Sequence, residues 1–498
     1  MNINEKTWVE NVVKQNEIDD YLIDGKDFID EEEIEKKLKV NIDYSKDDIR
    51  RIINKSLNIE RLSFDETAAL LNVTDDSILE EMYLAAAEVK RRVYDNRIVF
   101  FAPLYCGNLC VNNCEYCGFR TDNNEEVRKI LTMDEVRKEA EAVIDKGHKR
   151  MIVVYGEHPK TDANYIAETI KEIYKVEKKS KSGKTNRIRR ININAAPMCI
   201  NDLKKLHEVG IGTYQVFQET YHKMSYSEVH KSGPKSNYRW RLYALHRAMD
   251  AGIDDIAIGA LFGIYDWKFE VMGLLYHTAD LEKRFGIGPH TISFPRMTPA
   301  AGSDLSRNSK YAVNDKDFKK LVAVLRLSVP YTGLIITARE DAEIKKEVIQ
   351  IGCTQTDAST KIGIGEYSAD TKEELERKQQ FTIGDPRNLD DVIRELAELG
   401  IISSFCTSGY RCGRTGEKIM TLLKKTDEGK FCKLNAVLTF KEYLDDYASE
   451  ETKIIGEKLI LKELEEISTM DFYKKHNLTK IMADYYERIT KGERDLFI

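Results

Sequence analysis

Residues 98–117 read IVFFAPLYCGNLCVNNCEYC, and they join an apolar run to a cluster of cysteines. The first eight residues are rich in β-branched and aromatic side chains, which is typical of a buried strand. Cys110, Cys114 and Cys117 follow within eight residues of one another. We therefore expect a buried strand that leads directly into a loop of thiols.

This run is the first of a series along the chain. The other runs are residues 151–155, 191–195, 212–217, 256–262, 291–294, 333–337 and, more weakly, 353–360. Helix-length amphipathic segments separate them, at residues 133–146, 164–176, 238–251, 268–285, 315–327 and 390–399. Eight β-α units over roughly 300 residues predict an α/β fold of the (β/α)8 TIM-barrel type. A doubly wound sheet is the alternative that spacing alone leaves open.

The segments on either side of this region have a different pattern. Residues 63–74 and 76–95 show apolar residues at three- and four-residue spacing after Ser and Asp residues that can cap helices. After about residue 400 the alternation stops and the sequence is helix-rich. We expect a helical extension at 1–97, the barrel at 98–400 and a C-terminal domain at 401–498 that resembles an auxiliary-cluster domain.

One basic segment could be mistaken for a phosphate-binding loop. Residues 178–187 read KKSKSGKTNR, but Lys178 stands where that motif needs glycine. We interpret the segment as a basic surface loop.

Charge and hydropathy exclude several classes of protein. The 77 Lys+Arg and 84 Asp+Glu give a formal net charge of −7. Dedicated binders of nucleic acid or anionic membranes carry a basic excess instead. No stretch reaches the roughly 18 uncharged apolar residues of a membrane span. The first residues, MNINEKTWVE, have no apolar signal core, so we expect a cytoplasmic protein.

The nine cysteines are unevenly distributed. Four lie within residues 106–117 and three within 406–432, whereas Cys199 and Cys353 stand alone and are interpreted as small buried apolar residues. An odd count without an export signal argues against a disulfide scaffold. The clustering predicts that thiolates bind metal in two separate places.

The first cluster has the pattern C-x3-C-x2-C. Its three thiolates can bind three irons of a 4Fe–4S cube and leave the fourth iron open. An open iron can chelate S-adenosylmethionine (SAM) and pass one electron to its sulfonium. A structural zinc site that uses Cys106, or a four-cysteine electron-transfer cluster, is the alternative. The preceding strand and Tyr116, just before the last cysteine, favour the open cluster.

This pattern resembles the signature of the radical SAM enzymes, and the chain is identified as a member of that superfamily. Other blocks resemble aromatic-amino-acid lyases: 217–222 (FQETYH), 240–242 (WRL), 259–263 (GALFG), 288–293 (GPHTIS), 339–340 (RE) and 406–416 (CTSGYRCGRTG). They are most similar to the HydG family of tyrosine lyases in hydrogenase maturation, and next to the ThiH family of 2-iminoacetate synthases in thiamine biosynthesis. The resemblance covers most of residues 60–450.

The resemblance implies roles for particular side chains. It implies 4Fe–4S ligands at Cys110, Cys114 and Cys117, and contacts to SAM or its pocket at Tyr116, Glu157, Gln218, Glu219 and Arg241. Glu157 lies in the segment YGEHP, whose family counterpart binds the SAM amino group. Without the resemblance, Glu157 would be an ordinary loop carboxylate and Arg241 a surface arginine.

Arg339 ends the seventh expected strand, where a barrel presents residues to its substrate. A planar guanidinium there suits bidentate binding of an amino-acid carboxylate, which makes Arg339 the expected catalytic residue. An ion pair with Glu340 or Asp341 is the alternative. The family segment usually reads Ser-Thr-Arg-Glu, whereas here Ala338 lacks the hydroxyl, which changes the substrate contacts expected there.

The family's second cluster uses a C-x2-C pair and a later third cysteine. Those positions here are Cys406, Gly409 and Cys432, so the middle thiolate is missing. His277 falls where a family histidine holds an extra iron, although alone it would be a partly buried helix residue. Cys412 could substitute as a ligand, the site could be lost, or the change could be recent or artificial. Metal affinity falls steeply when ligands are removed.

The resemblance implies cleavage of the Cα–Cβ bond of L-tyrosine to p-cresol and dehydroglycine. CO and cyanide formation is expected to be impaired by Gly409. Flavodoxin or ferredoxin is expected as reductant, with other hydrogenase-maturation proteins as partners in an anaerobic cytoplasm. A ThiH-like 2-iminoacetate synthase is the alternative, and a non-catalytic Fe–S scaffold protein is a second one.

Overall fold

Eight parallel strands close into a barrel in the computed structural model, which describes residues 3–39, 44–369 and 379–498. They are β1 (Arg97–Gly107), β2 (Arg150–Tyr155), β3 (Arg190–Asn194), β4 (Tyr214–Gln215), β5 (Ile256–Gly259), β6 (Thr291–Ser293), β7 (Gly333–Ile336) and β8 (Gln355–Asp357). Neighbouring strands pair in chain order, and β8 pairs with β1, with Val99 opposite Gln355 and Phe101 opposite Asp357. This closing pair confirms the barrel and excludes the doubly wound sheet.

Before the barrel, the described residues form six helices. They are α1 (Ile3–Val12), α2 (Asn16–Asp19), α3 (Glu31–Lys39), α4 (Lys46–Leu57), α5 (Phe64–Asn72) and α6 (Asp76–Tyr94). The start of α5 illustrates how the sequence sets a boundary. The Ser63 side chain accepts a hydrogen bond from the Glu66 backbone N–H, and the Glu66 carboxylate accepts one from the Ser63 N–H. This capping box satisfies donors that the first turn of a helix leaves free.

Helices between the strands cover the outside of the barrel, and every residue of β1 is buried. The helices are α7 (Met133–Ile144), α8 (Ala163–Lys175), α9 (Ile200–Glu208), α10 (Lys223–Val229), α11 (Tyr238–Leu242), α12 (Ala244–Asp250), α13 (Trp267–Phe285), α14 (Leu305–Asn308), α15 (Asp315–Ser328), α16 (Ala342–Ile351) and α17 (Leu389–Glu398). Within the described ranges, no helix has the length and apolar character needed to cross a membrane.

Two local expectations in this region were wrong. The single helix expected at 238–251 is interrupted at Tyr243, and the Arg247 side chain donates to the carbonyl oxygen of Trp240 at 2.6 Å. That bond satisfies an acceptor that a continuous helix would pair internally. The loop expected at 178–187 contains a short antiparallel hairpin, Lys178–Lys179 with Thr185–Asn186.

A ninth strand, β9 (Ile402–Ser404), adds to the outside of the barrel closure and was not predicted. It pairs with the start of β1, with Arg97 opposite Ile402 and Val99 opposite Ser404. The helices α18 (Ser408–Arg411), α19 (Gly416–Lys424), α20 (Glu428–Asp446), α21 (Glu450–Thr469), α22 (Asp471–Lys475) and α23 (Leu478–Thr490) follow it. The pairing of β9 brings the later cysteines to the amino ends of the strands, opposite the first cysteine loop.

Candidate active site

The carboxyl ends of the barrel strands enclose a cavity of about 200 Å³, which we call the upper cavity. Eight of the predicted site residues line it: Cys110, Cys114, Tyr116, Cys117, Glu157, Glu219, Arg241 and Arg339. Apolar side chains such as Phe101, Ile152 and Leu261 form much of its wall. Enzymes with this fold place their active sites at this end of the barrel.

The cysteine loop is held by hydrogen bonds to neighbouring loops. The Val111 N–H donates to the carbonyl oxygen of Glu157 at 2.8 Å, and the Glu115 N–H donates to that of Val229 at 2.9 Å. Burial raises the pKa of the Cys114 thiol; nearby Lys235 opposes that rise, whereas Cys117 and Cys110 add to it. The three motif thiols therefore face one cavity and lie close enough to interact electrostatically.

Tyr116 is fixed by a buried histidine. Its hydroxyl lies 2.9 Å from Nε2 of His230, and Nδ1 of that ring lies 2.8 Å from the carbonyl oxygen of Tyr226. Because only a protonated Nδ1 can donate to a carbonyl, Nε2 of the neutral ring accepts the Tyr116 hydrogen bond. Burial holds the pKa of His230 well below its ordinary value, which keeps the ring neutral.

Glu157 has one carboxylate oxygen bonded and one free. Asn112 donates to its Oε2 at 2.6 Å, whereas the buried Oε1 has no partner among the described residues. Burial raises the pKa of this carboxyl group, and the Asn112 hydrogen bond opposes that rise. A buried acceptor without a partner is costly, so this oxygen is available to a cationic or N–H donor of a ligand.

Glu219 forms the centre of a charged network. Its carboxylate pairs with Lys235 at 2.7 Å and with Arg241 at 3.3 Å. Burial alone would raise the pKa of Glu219, but these two cations outweigh it and hold the pKa below its ordinary value. Arg241 also donates from Nε to the carbonyl oxygen of Phe217 at 2.5 Å. Glu219 and Arg241 therefore satisfy each other and shape the wall of the cavity.

Arg339 has no such partner. Its guanidinium stacks 3.3 Å from the ring centre of Phe381 and donates to the Thr298 hydroxyl at 3.2 Å. The alternative of a Glu340 ion pair is not realised, because Glu340 accepts from Arg296 Nε at 2.8 Å. Within the described part of the chain, no carboxylate lies within 4 Å of the Arg339 guanidinium. The cavity thus contains a cation whose counter-ion has to come from a ligand.

Three residues that the sequence analysis considered for these sites lie elsewhere. Gln218 is buried but does not line the cavity, because alternation along the chain turns Phe217 and Glu219 inward instead. Cys106, the proposed fourth zinc ligand, lies in the hydrophobic core. His277 is buried on α13, where its Nδ1 lies 2.9 Å from the Tyr221 hydroxyl and burial lowers its pKa to about 3.

A second, smaller pocket of about 60 Å³ lies at the amino ends of the strands, and we call it the lower pocket. The residues that define it are Arg97, Arg150, His290, Cys406, Gly409, Arg414, Glu428 and Cys432. The structure therefore brings the predicted ligands Cys406 and Cys432 together. It does not bring His277 there, and His290 takes the position of a lining histidine.

The position of the missing thiolate is also in the lower pocket. Gly409 lines it, and a Cβ built there would meet no atom closer than the carbonyl oxygen of Arg414 at 3.5 Å. Cys412 is exposed and does not line the pocket. The structure thus places Cys412 away from the position that a replacement ligand would need.

Sequence reasoning missed several residues of the upper cavity. Lys235 and Gln380 line it, and the Gln380 side chain donates to the Cys117 sulfur at 3.5 Å. Asn112 stands inside the cysteine motif and could have been noticed for that reason. Lys235, His230 and Gln380 follow no motif, and only folding brings them to the site.

Comparisons with known proteins agree with this geometry. Residues 104–272 match the family model of the Radical SAM superfamily, and residues 293–402 match the Biotin and Thiamin Synthesis associated domain. The chain is 30% identical to 2-iminoacetate synthase of Salmonella typhimurium over 365 residues, covering 71% of this chain and 92% of that protein.

Two solved structures are similar over nearly the whole chain. HydG, a maturase of the FeFe-hydrogenase, superposes with a TM-score of 0.89 at 45% identity, covering 95% of this chain and 100% of that one. HydG from Carboxydothermus hydrogenoformans gives a TM-score of 0.76 at 36% identity, covering 95% and 99%.

Proposed function

Because the chain belongs to the radical SAM superfamily, as a relative of HydG and 2-iminoacetate synthase, we propose that it cleaves the Cα–Cβ bond of L-tyrosine to p-cresol and dehydroglycine. One observation carries the proposal. The three motif thiols, the unpartnered oxygen of Glu157 and the unpaired guanidinium of Arg339 all face the upper cavity. A thiolate cluster site and receptors for an amino group and a carboxylate are therefore adjacent.

The residues present fit a SAM-binding 4Fe–4S cluster. Cys110, Cys114 and Cys117, which line the cavity, would hold it, and the unpartnered oxygen of Glu157 would bind the amino group of SAM. When bound, the cluster and SAM supply a 5′-deoxyadenosyl radical that removes one hydrogen atom from the tyrosine amino group. Tyr116, fixed by His230, and the pair Glu219–Arg241 keep the walls of the SAM pocket in place.

Arg339 positions the substrate. Its guanidinium would donate two hydrogen bonds to the tyrosine carboxylate, because no carboxylate of the described chain occupies that position. Stacking on Phe381 restricts the plane of the guanidinium and so the orientation of the amino acid. Holding the amino group toward the radical source is a positioning effect, which in general accounts for much of an enzyme's rate.

The walls protect the reaction from water. The apolar side chains of Phe101, Ile152, Phe217 and Leu261 line the cavity between the strand ends. After loss of the hydrogen atom, the Cα–Cβ bond breaks and leaves dehydroglycine and a 4-hydroxybenzyl radical. One electron from the reductant and one proton convert that radical to p-cresol. Exclusion of water prevents side reactions of such species.

The lower pocket favours release of dehydroglycine over its conversion to CO and cyanide. The pocket offers two thiols where a cluster needs at least three ligands, so we propose that this chain ends its chemistry at dehydroglycine. This outcome is that of a 2-iminoacetate synthase, on a scaffold that resembles HydG. In the cell, dehydroglycine would serve hydrogenase maturation or thiamine biosynthesis.

The surroundings of the reaction are also proposals. We propose flavodoxin or ferredoxin as reductant, other hydrogenase-maturation proteins as partners and an anaerobic cytoplasm, because an iron with an open position is oxygen-sensitive. We also propose that residues 1–97, 98–400 and 401–498 are the extension, the catalytic barrel and a domain that closes the lower pocket. The position of Cys432 and Glu428 in that pocket supports the last assignment.

One anaerobic assay tests the proposed function. The reconstituted protein is incubated with SAM, reductant and tyrosine, and mass spectrometry quantifies 5′-deoxyadenosine, p-cresol, glyoxylate and cyanide. We expect p-cresol and glyoxylate, the hydrolysis product of dehydroglycine, without cyanide. Detection of cyanide would contradict the proposal that the second cluster site is lost. Absence of p-cresol would contradict tyrosine cleavage, and absence of 5′-deoxyadenosine with an intact cluster would favour the scaffold protein.

A further inference from the structure

The lower pocket does not fit a second iron–sulfur cluster. Its lining includes two thiols, Cys406 and Cys432, and Gly409 has no side chain to offer. Cys412 is exposed outside the pocket, and His277 is bound to Tyr221 elsewhere. Among the residues that the structure describes, no third thiol completes the site. The pocket therefore needs another explanation.

Its charges indicate what it would bind. Arg97 and Arg150 both line it, and each side chain is more than nine-tenths buried. No carboxylate of the described residues lies within 4 Å of either guanidinium, whereas the other charges of the pocket are paired. Glu428 pairs with Arg414 at 3.4 Å, and Asp255 pairs with His290 at 3.0 Å. Two buried guanidinium groups thus lack a direct carboxylate partner. Burial alone would lower the pKa of Arg97, but Cys432, Cys406 and Glu428 act on it from a longer distance and hold its pKa above the ordinary value.

Two buried guanidinium groups without a direct partner reduce the stability of the folded protein unless an anion occupies the pocket. A buried charge without a partner destabilises a protein strongly, and an arginine fork pairs best with a carboxylate. Arg97 Nε is buried and has no hydrogen-bond partner. Arg150 donates to the carbonyl oxygen of Cys406 at 3.1 Å, which fixes its guanidinium at the edge of the pocket. Hydrogen-bond donors and positive charge therefore converge on the pocket, which also contains one carboxylate oxygen without a hydrogen-bond partner, Oε2 of Glu428.

The size of the pocket limits the ligand. The lower pocket has a volume of about 60 Å³, against about 200 Å³ for the upper cavity, which favours a ligand much smaller than SAM. A two-carbon carboxylate such as glyoxylate is a small ligand of this kind. The choice of a two-carbon acid rests on the proposed function, because dehydroglycine and glyoxylate are products of this size. The prediction of an anion rests on the charges alone.

We propose that the lower pocket is a binding site for a small carboxylate, in place of a second iron–sulfur cluster. Arg97 supplies the principal guanidinium and Arg150 the second positive charge. The site lies at the opposite end of the barrel from Arg339, which would bind the substrate carboxylate. The protein therefore has two carboxylate sites that single variants can separate.

The test uses isothermal titration of the reconstituted full-length protein with glyoxylate, with acetate and phosphate as further probes. Arg97→Gln should weaken glyoxylate binding at least about tenfold, because it removes a charge-assisted pair, whereas Arg339→Gln should leave this binding in place. Arg97→Lys keeps the charge and should lose less affinity, which separates binding from misfolding. Loss of binding in Arg339→Gln but not in Arg97→Gln would overturn the proposal, as would tighter binding of phosphate than of glyoxylate.

Iron content gives a second, independent readout. The wild-type protein should contain about four irons per chain, and Gly409→Cys should raise this toward about eight and abolish glyoxylate binding, since a thiolate cluster would fill the pocket. A wild-type content of about eight irons that is halved by Cys406→Ser would overturn the proposal. Because neither measurement depends on turnover, absence of p-cresol would contradict the proposed function and leave this inference standing.

Discussion

The upper cavity and the lower pocket use the same residue types, cysteine and arginine, with opposite results. In the upper cavity three thiols converge and Arg241 is paired with Glu219, so that a free carboxylate oxygen on Glu157 and a free guanidinium on Arg339 remain. In the lower pocket two thiols converge, and among the described residues Arg97 and Arg150 have no carboxylate within 4 Å, while Oε2 of Glu428 is buried without a hydrogen-bond partner. The groups without partners therefore differ. The upper set suits molecules with both an amino and a carboxylate group, and the lower set suits an anion.

Two glycines sharpen the comparison. A Cβ at Gly156 would overlap with the carbonyl oxygen of Leu109 in the cysteine loop, so the upper cavity requires glycine there. A Cβ at Gly409 would meet nothing closer than 3.5 Å. The lower pocket does not require glycine for packing. Packing therefore does not explain Gly409, as expected if this position has lost a ligand.

The largest expected effect comes from removing a thiol of the upper cavity. Cys114→Ala should reduce 5′-deoxyadenosine formation at least about 100-fold, because a cluster with two protein ligands is bound weakly. The product is measured after anaerobic incubation with SAM and reductant. The matched control is Cys412→Ala, which removes an exposed thiol outside both sites. If the control variant lost iron, Cys412 would be an iron ligand. The contrast between three thiols in the upper cavity and two in the lower pocket would then be wrong.

Arg339→Gln should have the next largest effect. Loss of one partner of a buried charge pair costs about 2–5 kcal/mol, which corresponds to a decrease of about 30- to 5,000-fold in kcat/KM for tyrosine. Formation of 5′-deoxyadenosine in the absence of tyrosine should remain, since Arg339 does not belong to the cluster or SAM residues. The measurement is the ratio of p-cresol to 5′-deoxyadenosine. An unchanged ratio would show that another group binds the substrate carboxylate.

Gly156→Ala should damage the upper cavity through its backbone. The new Cβ would push against Leu109, and overpacking of this kind costs about 1–3 kcal/mol. The Val111–Glu157 hydrogen bond of 2.8 Å lies beside this contact, so cluster content should fall together with thermal stability. Iron analysis and the melting temperature Tm measure the two effects. A variant with full iron content would show that the loop can move without loss of the site.

The positions of the eight strands and the grouping of three thiols in one cavity could be predicted from the sequence, because hydrophobic periodicity and cysteine spacing are local properties. The location of Arg339 in the cavity was also predictable, since barrels present the residues at strand ends, whereas Glu157 was assigned by resemblance. By contrast, the pairing of Glu219 with Lys235 depends on loops that meet only after folding. The predicted contact of Gln218 with the SAM pocket stays a prediction, since its buried side chain does not line the cavity, and resemblance alone cannot tell which way a side chain turns. The strand β9 was missed because its three residues, ISS, include only one apolar side chain, yet it positions the lower pocket.

The smallest expected effect is also the most direct test of the two glycines. Gly409→Ala adds a methyl group in α18 at a position without contacts below 3.5 Å. Replacing a helical glycine by alanine restricts the unfolded chain and stabilises by about 0.5–1 kcal/mol. We expect a small rise in Tm with p-cresol formation unchanged, opposite in sign to Gly156→Ala. A fall in Tm would mean that glycine at 409 serves the fold, and the loss of the second cluster would then be a consequence of packing at the lower end of the barrel.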